Sequence, residues 1–507
     1  MKKNVLALSI AAMVGGLGFA GAASAQAVDA TELRLAESGT GHILLVPYFN
    51  AQNDNMSVFH VVNTDTSSGK AVKVRFRSAS NSDDILDFQV FLSPGDVWTA
   101  AVSAGEDGVA ELVTYDNSCT LPTIQKGVPV KFVQDRLNPT WGPADKANNT
   151  REGYVEMFNM ADITSGSELF KAIKHVNGVA PCTSAVLDAT LTTGAATAGL
   201  ANPTTGLAGS WYIINVPQTT TYSGAANVIR AVDALGNPAV GKNVFSAQDA
   251  NAPAVVATAD PLLRSGLVAA ANYDLPDLST PYLTGAGFSP EAQVNALTEA
   301  LSVNAVINQY ANDASITAKT DWVFSMPTRR YGIVANYLAP ISNTKGDIAA
   351  ATAAPTTTYR VYNSGLAATN YFTSGGAANT SVNESGQICV SALSQSFYDR
   401  EETGQKGSGA VFSPGTVKTS RLCGEVSVLS FNDSGNSVLA ASVARQNVSG
   451  IPVNGWGQVN FSAPVPVLGS AFMKVSNPNV GSGVSGTYGI TWPHAYVAPA
   501  KTAPVTP

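Results

Sequence analysis

Charge is what this 507-residue chain has least of. Asp, Glu, Lys and Arg together make up 13% of it, against roughly 25% in an ordinary globular protein. An excess of positive charge is missing as well: 29 basic residues face 36 acidic ones, for a net charge of −7. That balance excludes nucleic acid and an anionic membrane surface as expected partners. Histidine is rare, and His42, His60, His175 and His494 show neither H-x-x-x-H nor H-E-x-x-H spacing, so zinc chemistry has no support. Only four cysteines occur, with no C-x-x-C among them, which argues against a dithiol redox centre or a zinc finger. Beyond the first 25 residues no run of 18 apolar residues appears, so no transmembrane helix is expected. Nucleotide-binding glycine loops and a G-x-S-x-G nucleophile elbow are absent too. The near misses are Gly483-Val-Ser485-Gly486 and Ser67-Ser-Gly-Lys70, and the latter reads as a turn before a strand. No catalytic residue, cofactor or metal ligand is expected.

The first 25 residues are present and specific. Lys2 and Lys3 precede an apolar stretch from Val5 to Ala20, and Ala23-Ser24-Ala25 forms a small-residue cleavage site before Gln26. This is the pattern of a secretory signal peptide. Its removal leaves 27 basic and 36 acidic residues. In an oxidising compartment Cys119, Cys182, Cys389 and Cys423 are expected to pair. Four cysteines allow three pairings, and nearest-neighbour pairing within each region is the expected one. Either bridge would contribute about 4 kcal/mol in the chain-entropy model.

Hydrophobic periodicity predicts a mainly β protein, with two antiparallel β-sandwich regions of immunoglobulin-like character around a mixed α/β middle. Over residues 70–77, Val72, Val74 and Phe76 alternate with Lys73, Arg75 and Arg77. Period two sends the first set to the core and the second to water. Leu86, Phe88, Val90 and Leu92 repeat the pattern, Ser93-Pro94-Gly95-Asp96 turns the chain, and Val97-Trp98-Thr99 begins another strand. Ile43–Tyr48 and Val58–Val62 read as strands, and His42 and His60 are placed to meet across them. The expected organisation is a signal peptide at 1–25, a β-sandwich region at 26–115 and a mixed region at 116–330. A C-terminal β-rich region at 331–495 and a Pro-rich tail at 496–507 complete it.

Helices are expected near 165–177, opened by a Ser165–Glu168 capping box with Leu169, Ile173 and Val176 on one face, and over 289–310, where Ser289-Pro290-Glu291 supplies cap, first-turn proline and an acid against the dipole. Trp211–Val216, Asp321–Pro327, Gly424–Phe431, Val438–Val443, Gly455–Phe461 and Ala471–Val475 read as strands. Residues 190–205 and Gly346–Thr358 read as Ala/Thr-rich loops, and Asn432–Gly435 as a turn.

Tyr398-Asp399-Arg400-Glu401-Glu402 is the densest charged cluster, on a loop between Cys389 and Cys423. It is a candidate contact loop, with local arginine–acid pairing as the plainer reading. Asp83-Asp84 beside Lys73, Arg75 and Arg77 predicts cross-strand ion pairs. Calcium favours such oxygen-rich pairs, but no EF-hand loop supports it. Of the six tryptophans, Trp98, Trp211 and Trp322 lie in strand patterns and read as core, and Trp492 with Tyr496 is the expected exposed aromatic pair.

Several longer segments carry a resemblance. They include Leu45–Phe49, Val62–Asp65, Leu86–Trp98, Glu152–Glu156, His175–Gly178, Gly209–Val216, Asp321–Thr328, Tyr398–Glu402 and Leu422-Cys423. In these the chain resembles an uncharacterised family of exported proteobacterial cell-surface proteins, over nearly its whole mature length. The resemblance implies export and a β-rich surface protein, and it supplies no catalytic or binding residues. The expected function is that of a non-catalytic structural or cell-surface protein acting through self-association or contacts with other surface proteins. The alternative is an extracellular or periplasmic ligand-binding module, for a glycan for example.

Overall fold

A computed structural model describes residues 28–36, 39–191, 198–249, 258–283, 288–337, 361–363, 380–383, 385–404, 420–431, 437–481 and 484–499. The expected signal peptide, the Gly346–Thr358 loop, the Asn432–Gly435 turn, the centre of the 190–205 stretch and most of the Pro-rich tail lie outside these residues. The chain is mainly β, and its sheets are antiparallel apart from one parallel pair, Val426–Phe431 with Arg445–Val448.

The first sheet runs Glu32–Ala36, Asn227–Val232, Ile43–Asn50, Glu152–Ile163, Gly69–Ser78, Asp84–Leu92, Cys119–Leu121, with Leu200–Ala201 against the end of Glu152–Ile163. The second runs Thr220–Ala225, Leu207–Asn215, Asn55–Asn63, Val97–Ala104, Ala110–Val113, Val130–Lys131. One core lies between them: Val72, Val74 and Phe76 meet Phe88, Trp98, Phe59 and Trp211 there. The expected turn is present, with Asp96 N–H donating to the Ser93 carbonyl at 3.1 Å and Gly95 at φ +71, the left-handed position that glycine occupies without strain.

Two larger sheets carry the C-terminal half, beside a pair, Ile333–Ala335 with Val361–Asn363, and a three-stranded sheet of Thr380–Val382, Ile388–Ser391 and Arg421–Cys423. Of the larger two, one runs Ser394–Tyr398, Asn454–Pro466, Ser302–Ala311, Ala495–Val497, and the other Arg445–Val448, Val426–Phe431, Lys319–Ser325, Leu468–Gly481, Val484–Pro493. An aromatic core joins them, with Trp322 4.7 Å from Phe431 and Tyr310 stacked on Phe431 at 5.4 Å. The expected boundaries cut across these sheets. Strands from 119–232 complete both N-terminal sheets, and Ser302–Ala311 and Lys319–Ser325 belong to the C-terminal ones. The halves also share a core, since Val426, Val428, Leu439 and Phe472 pack with Tyr48, Trp211 and Tyr222.

Lys73, Arg75 and Arg77 do not face water. Every residue of Gly69–Ser78 is buried, because residues 242–249 and 258–283 and the helix Pro290–Leu301 cover the sheet's second face. Alternation reports two faces of different chemistry; it does not report that the polar one is wet.

The helix at 289 is capped as expected, with Ser289 Oγ accepting from Ala292 N–H at 3.2 Å. It ends at Leu301 rather than near 310. Val306, Asn308 and Tyr310 then alternate inward on a strand, Ser302–Ala311, paired with Asn454–Pro466, so the last part of the expected 289–310 helix, Ile307 included, is β. The helix at 165–177 is only Glu168–Ile173, capped by Ser167 and not Ser165, and Val176 lies beyond it, exposed. Val438–Val443 is irregular, because its backbone N–H groups serve buried carboxylates. Substituting Ser289→Ala removes the one cap accepting at this helix start and should lower stability by about 1 kcal/mol in urea denaturation.

Candidate functional site

The chain's chemistry collects on the covered face of the first sheet. Lys73, Arg75 and Arg77 stand in a row on Gly69–Ser78, and Asp84 and Asp87 face them from Asp84–Leu92. Glu156 lies on the other side, opposite Arg75. Arg75 Nε is 3.0 Å from Asp84, and Arg77 sits 3.6 Å from Glu156 and 4.0 Å from Asp84. Lys73 pairs with Asp87 and donates to Gln248 Oε1 at 2.6 Å. The cover supplies acceptors too: Arg75 donates to the carbonyls of Pro276 at 2.6 Å and Tyr273 at 2.8 Å, and Lys73 to Tyr273 at 2.7 Å.

Burial works against charge on Arg77, yet Glu156 and Asp84 overcome it and hold the guanidinium above its ordinary pKa. Lys73 is pulled down to about 8 by burial, with Asp87 opposing. Gly153 fixes the row's end, since a Cβ there would lie 1.7 Å from the Arg77 carbonyl.

A second group surrounds Arg329 and Arg330, in a short helix after Met326-Pro327. Arg329 pairs with Glu425 at 3.2 Å, both fully buried, and donates to the carbonyls of Gly424 at 2.7 Å and Ile388 at 2.9 Å. Arg330 pairs with Asp260 and donates to the Ser82 carbonyl. Asp83 accepts from Tyr337 Oη at 2.5 Å, and burial pushes its pKa up to about 7. Of the expected Asp83-Asp84 ion pairs, Asp84 makes its own and Asp83 turns to Tyr337. Between the groups lies a cavity of about 40 Å³ bordered by Arg77, Asp83, Asp84, Arg136, Asp260 and Arg330, among others. A hollow of about 300 Å³ lies under residues 242–247 and 272–281, with Lys242 its one ionisable lining residue.

The other candidates are dispersed. His42 immediately precedes a strand of the first sheet and His60 lies in the second, and their ring neighbours are different, Tyr282 for His42 and Tyr212 for His60. His42 accepts from Ala231 N–H at 3.1 Å and approaches the Ala239 carbonyl at 3.0 Å, and burial lowers its pKa to about 3. His494 lies 2.9 Å from the Val323 carbonyl and 2.8 Å from Asn308, and burial lowers it to about 4. His175 contacts Asp96 at 3.5 Å. Ser67 and Lys70 serve separate partners, Asp65 at 2.7 Å and Asp162 at 2.8 Å. Among the described residues no group of His, Cys, Asp and Glu could hold a metal ion.

Cys119 pairs with Cys182 and Cys389 with Cys423, as nearest-neighbour pairing anticipates. These bridges point to a non-cytoplasmic location, and no described helix is long and apolar enough to cross a membrane.

In the candidate contact loop, Asp399 accepts from the N–H groups of Glu401 at 3.0 Å and Thr403 at 2.7 Å, while Arg400, Glu401 and Glu402 are exposed. The exposed aromatic pair is not Trp492 and Tyr496, which are part-buried against Met473 and the C-terminal core. Among the described residues the exposed tryptophan is Trp456, stacked on half-buried Tyr398 at 4.9 Å and 22°.

Sequence reading missed Glu156, Asp260, Arg329, Arg330 and Glu425. The adjacent arginines after a proline, in a chain so short of charge, are the one signal that marks them. No protein-family model matches the chain, and neither a curated protein nor a solved structure matches it.

Two outcomes are expected. Glu425→Gln leaves Arg329 buried without its counter-charge and should cost about 3–5 kcal/mol in denaturant unfolding, with Arg329→Met/Glu425→Leu recovering part of the loss. Asp83 has a folded pKa above its unfolded value, so its contribution is full below about pH 4 and is lost as pH rises through about 7. The urea midpoint of Asp83→Asn should therefore gain on the wild type between pH 4 and 7.

Proposed function

We propose that this is a non-catalytic exported protein that acts at the cell surface through contacts made by its outer faces. The observation that supports the reading is the use to which charge is put. In a chain with so few ionisable residues, Lys73, Arg75, Arg77, Arg329 and Arg330 are buried, each against a carboxylate of the same molecule. The cavity they border, at about 40 Å³, suits a few water molecules rather than a substrate. These five cations, committed in this way, serve the fold and are not themselves presented to a reactant.

A finer description of the architecture belongs to the same proposal. The first two sheets share one core, as two layers of a β-sandwich do. The immunoglobulin likeness has less behind it. The Cys119–Cys182 bridge ties the first sheet to a loop after Glu168–Ile173, not sheet to sheet.

The test is location. Native cells are fractionated, and intact cells are treated with protease and probed for this chain. Cleavage in intact cells, alongside an outer-membrane or extracellular fraction, is expected. Protection until the outer membrane is opened would overturn the surface assignment and favour a periplasmic binding module.

A further inference from the structure

The sheet that carries Asn454–Pro466 has one face in the aromatic core and the other in solvent. Its register places three rows of side chains on the solvent face. Tyr398, Trp456 and Gln309 form the first row, Ser396, Gln458 and Ile307 the second, and Ser394 and Asn460 the third, where Ala305 beside them is already buried. Trp456 is 41% exposed. Gln309 and Ser394 are exposed too, and Tyr398, Ser396, Gln458 and Asn460 half-buried.

We propose that this face binds a neutral polysaccharide chain, with Trp456 as the stacking ring; the assignment rests on the contact-protein reading above and names its partner class. Three observations carry it. First, Tyr398 covers one side of the indole, and with Trp456 41% exposed much of the ring remains open to solvent. A pyranose ring presents a row of C–H groups to such a surface, and their partial positive charge suits the negative π-face. Second, the rest of the face is amide and hydroxyl. Gln458 donates to Asn460 Oδ1 at 2.5 Å, and Asn460 to Ser394 Oγ at 3.1 Å. This chain holds the amides in fixed orientations, so hydroxyl partners meet groups already placed. From Trp456 to Asn460 the face extends roughly 14 Å along the strand, room for consecutive sugars of a chain.

Third, none of these eight solvent-face residues carries a formal charge. The charged side chains nearby, Asp399, Arg400, Glu401 and Glu402 past the end of Tyr398's strand and Asp313 bonded to Asn454, lie beyond the Trp456 end of the face. Charge complementarity therefore selects an uncharged partner rich in hydroxyls. A protein partner, including a second copy, would want a larger apolar centre than one exposed tryptophan and its neighbours.

The experiment is native affinity electrophoresis of the full mature chain through gels containing mixed-linkage β-glucan, galactomannan or dextran, with a heparin gel as the charged comparison. Retardation by at least one neutral polysaccharide is expected. Trp456→Ala should weaken it by about tenfold or more, Trp456→Phe and Gln458→Ala less, and Trp492→Phe not at all. Near-ultraviolet circular dichroism of Trp456→Phe shows that the fold survives.

No retardation by any neutral gel, retardation by heparin alone, or retardation unchanged in Trp456→Ala would overturn the proposal. So would self-association in plain gels that Trp456→Ala abolishes, which would assign the face to a second copy. Failure here with the chain still cleaved on intact cells removes the polysaccharide and keeps the contact protein. Retention with the chain protected in intact cells does the reverse for its location.

Discussion

The fold depends on a basic row that has been taken out of water. Lys73, Arg75 and Arg77 belong to a strand near the middle of the first sheet, and each would be costly to bury alone. Asp84, Asp87 and Glu156 answer them from the neighbouring strands, and Tyr273 and Pro276 answer them from above with backbone carbonyls. The interaction has two consequences at once. It sets the register of three adjacent strands by charge as well as by hydrophobic pattern. It also makes the cover, through Gln248, Tyr273 and Pro276, part of the sheet's own hydrogen bonding, so that it cannot lift without stranding cations.

The same device joins the two halves of the chain. Glu152, at the start of a central strand of the first sheet, accepts from Tyr48 Oη at 3.1 Å and from the N–H groups of Ser442 at 2.8 Å and Val443 at 3.2 Å. Asp321, on a C-terminal strand, accepts from Leu439 N–H at 3.0 Å, while Asn50 of the first sheet donates to the Leu439 carbonyl at 3.0 Å. Residues 437–443 are thus an irregular strip between two carboxylates, one from each half. Burial of both carboxylates raises their pKa values, to about 6 for Asp321, and their hydrogen bonds oppose that shift. The seam is polar and directional where the surrounding core is not, and directional contacts fix one docking geometry where apolar ones would allow several.

Much of this was legible in the chain, and what was not has a physical cause. Strands with a clean period, such as Gly69–Ser78 and Asp84–Leu92, were evident, as were the cysteine pairs and the Ser289 cap. Which side faces water was not, because the cover over Lys73, Arg75 and Arg77 comes from residues some 200 positions later. Helix and strand were confused at Ser302, where an apolar run satisfies either period until a partner strand decides it. The stacking of Tyr398 on Trp456 depends on strands 58 residues apart lying in register. Neither residue marks itself.

One feature bears on how the chain withstands cutting. The Cys389–Cys423 bridge closes a covalent ring that contains Tyr398 and its charged turn. At the ring's neck Arg329 grips the carbonyls of Ile388 and Gly424, one beside each cysteine. A single backbone break anywhere inside the ring therefore releases nothing: both new ends remain tethered to the same guanidinium-bound point in the core. The part of the molecule that supplies Tyr398 to the Trp456 stack is in this sense fail-safe, holding its pieces together through damage that would free an unbridged loop.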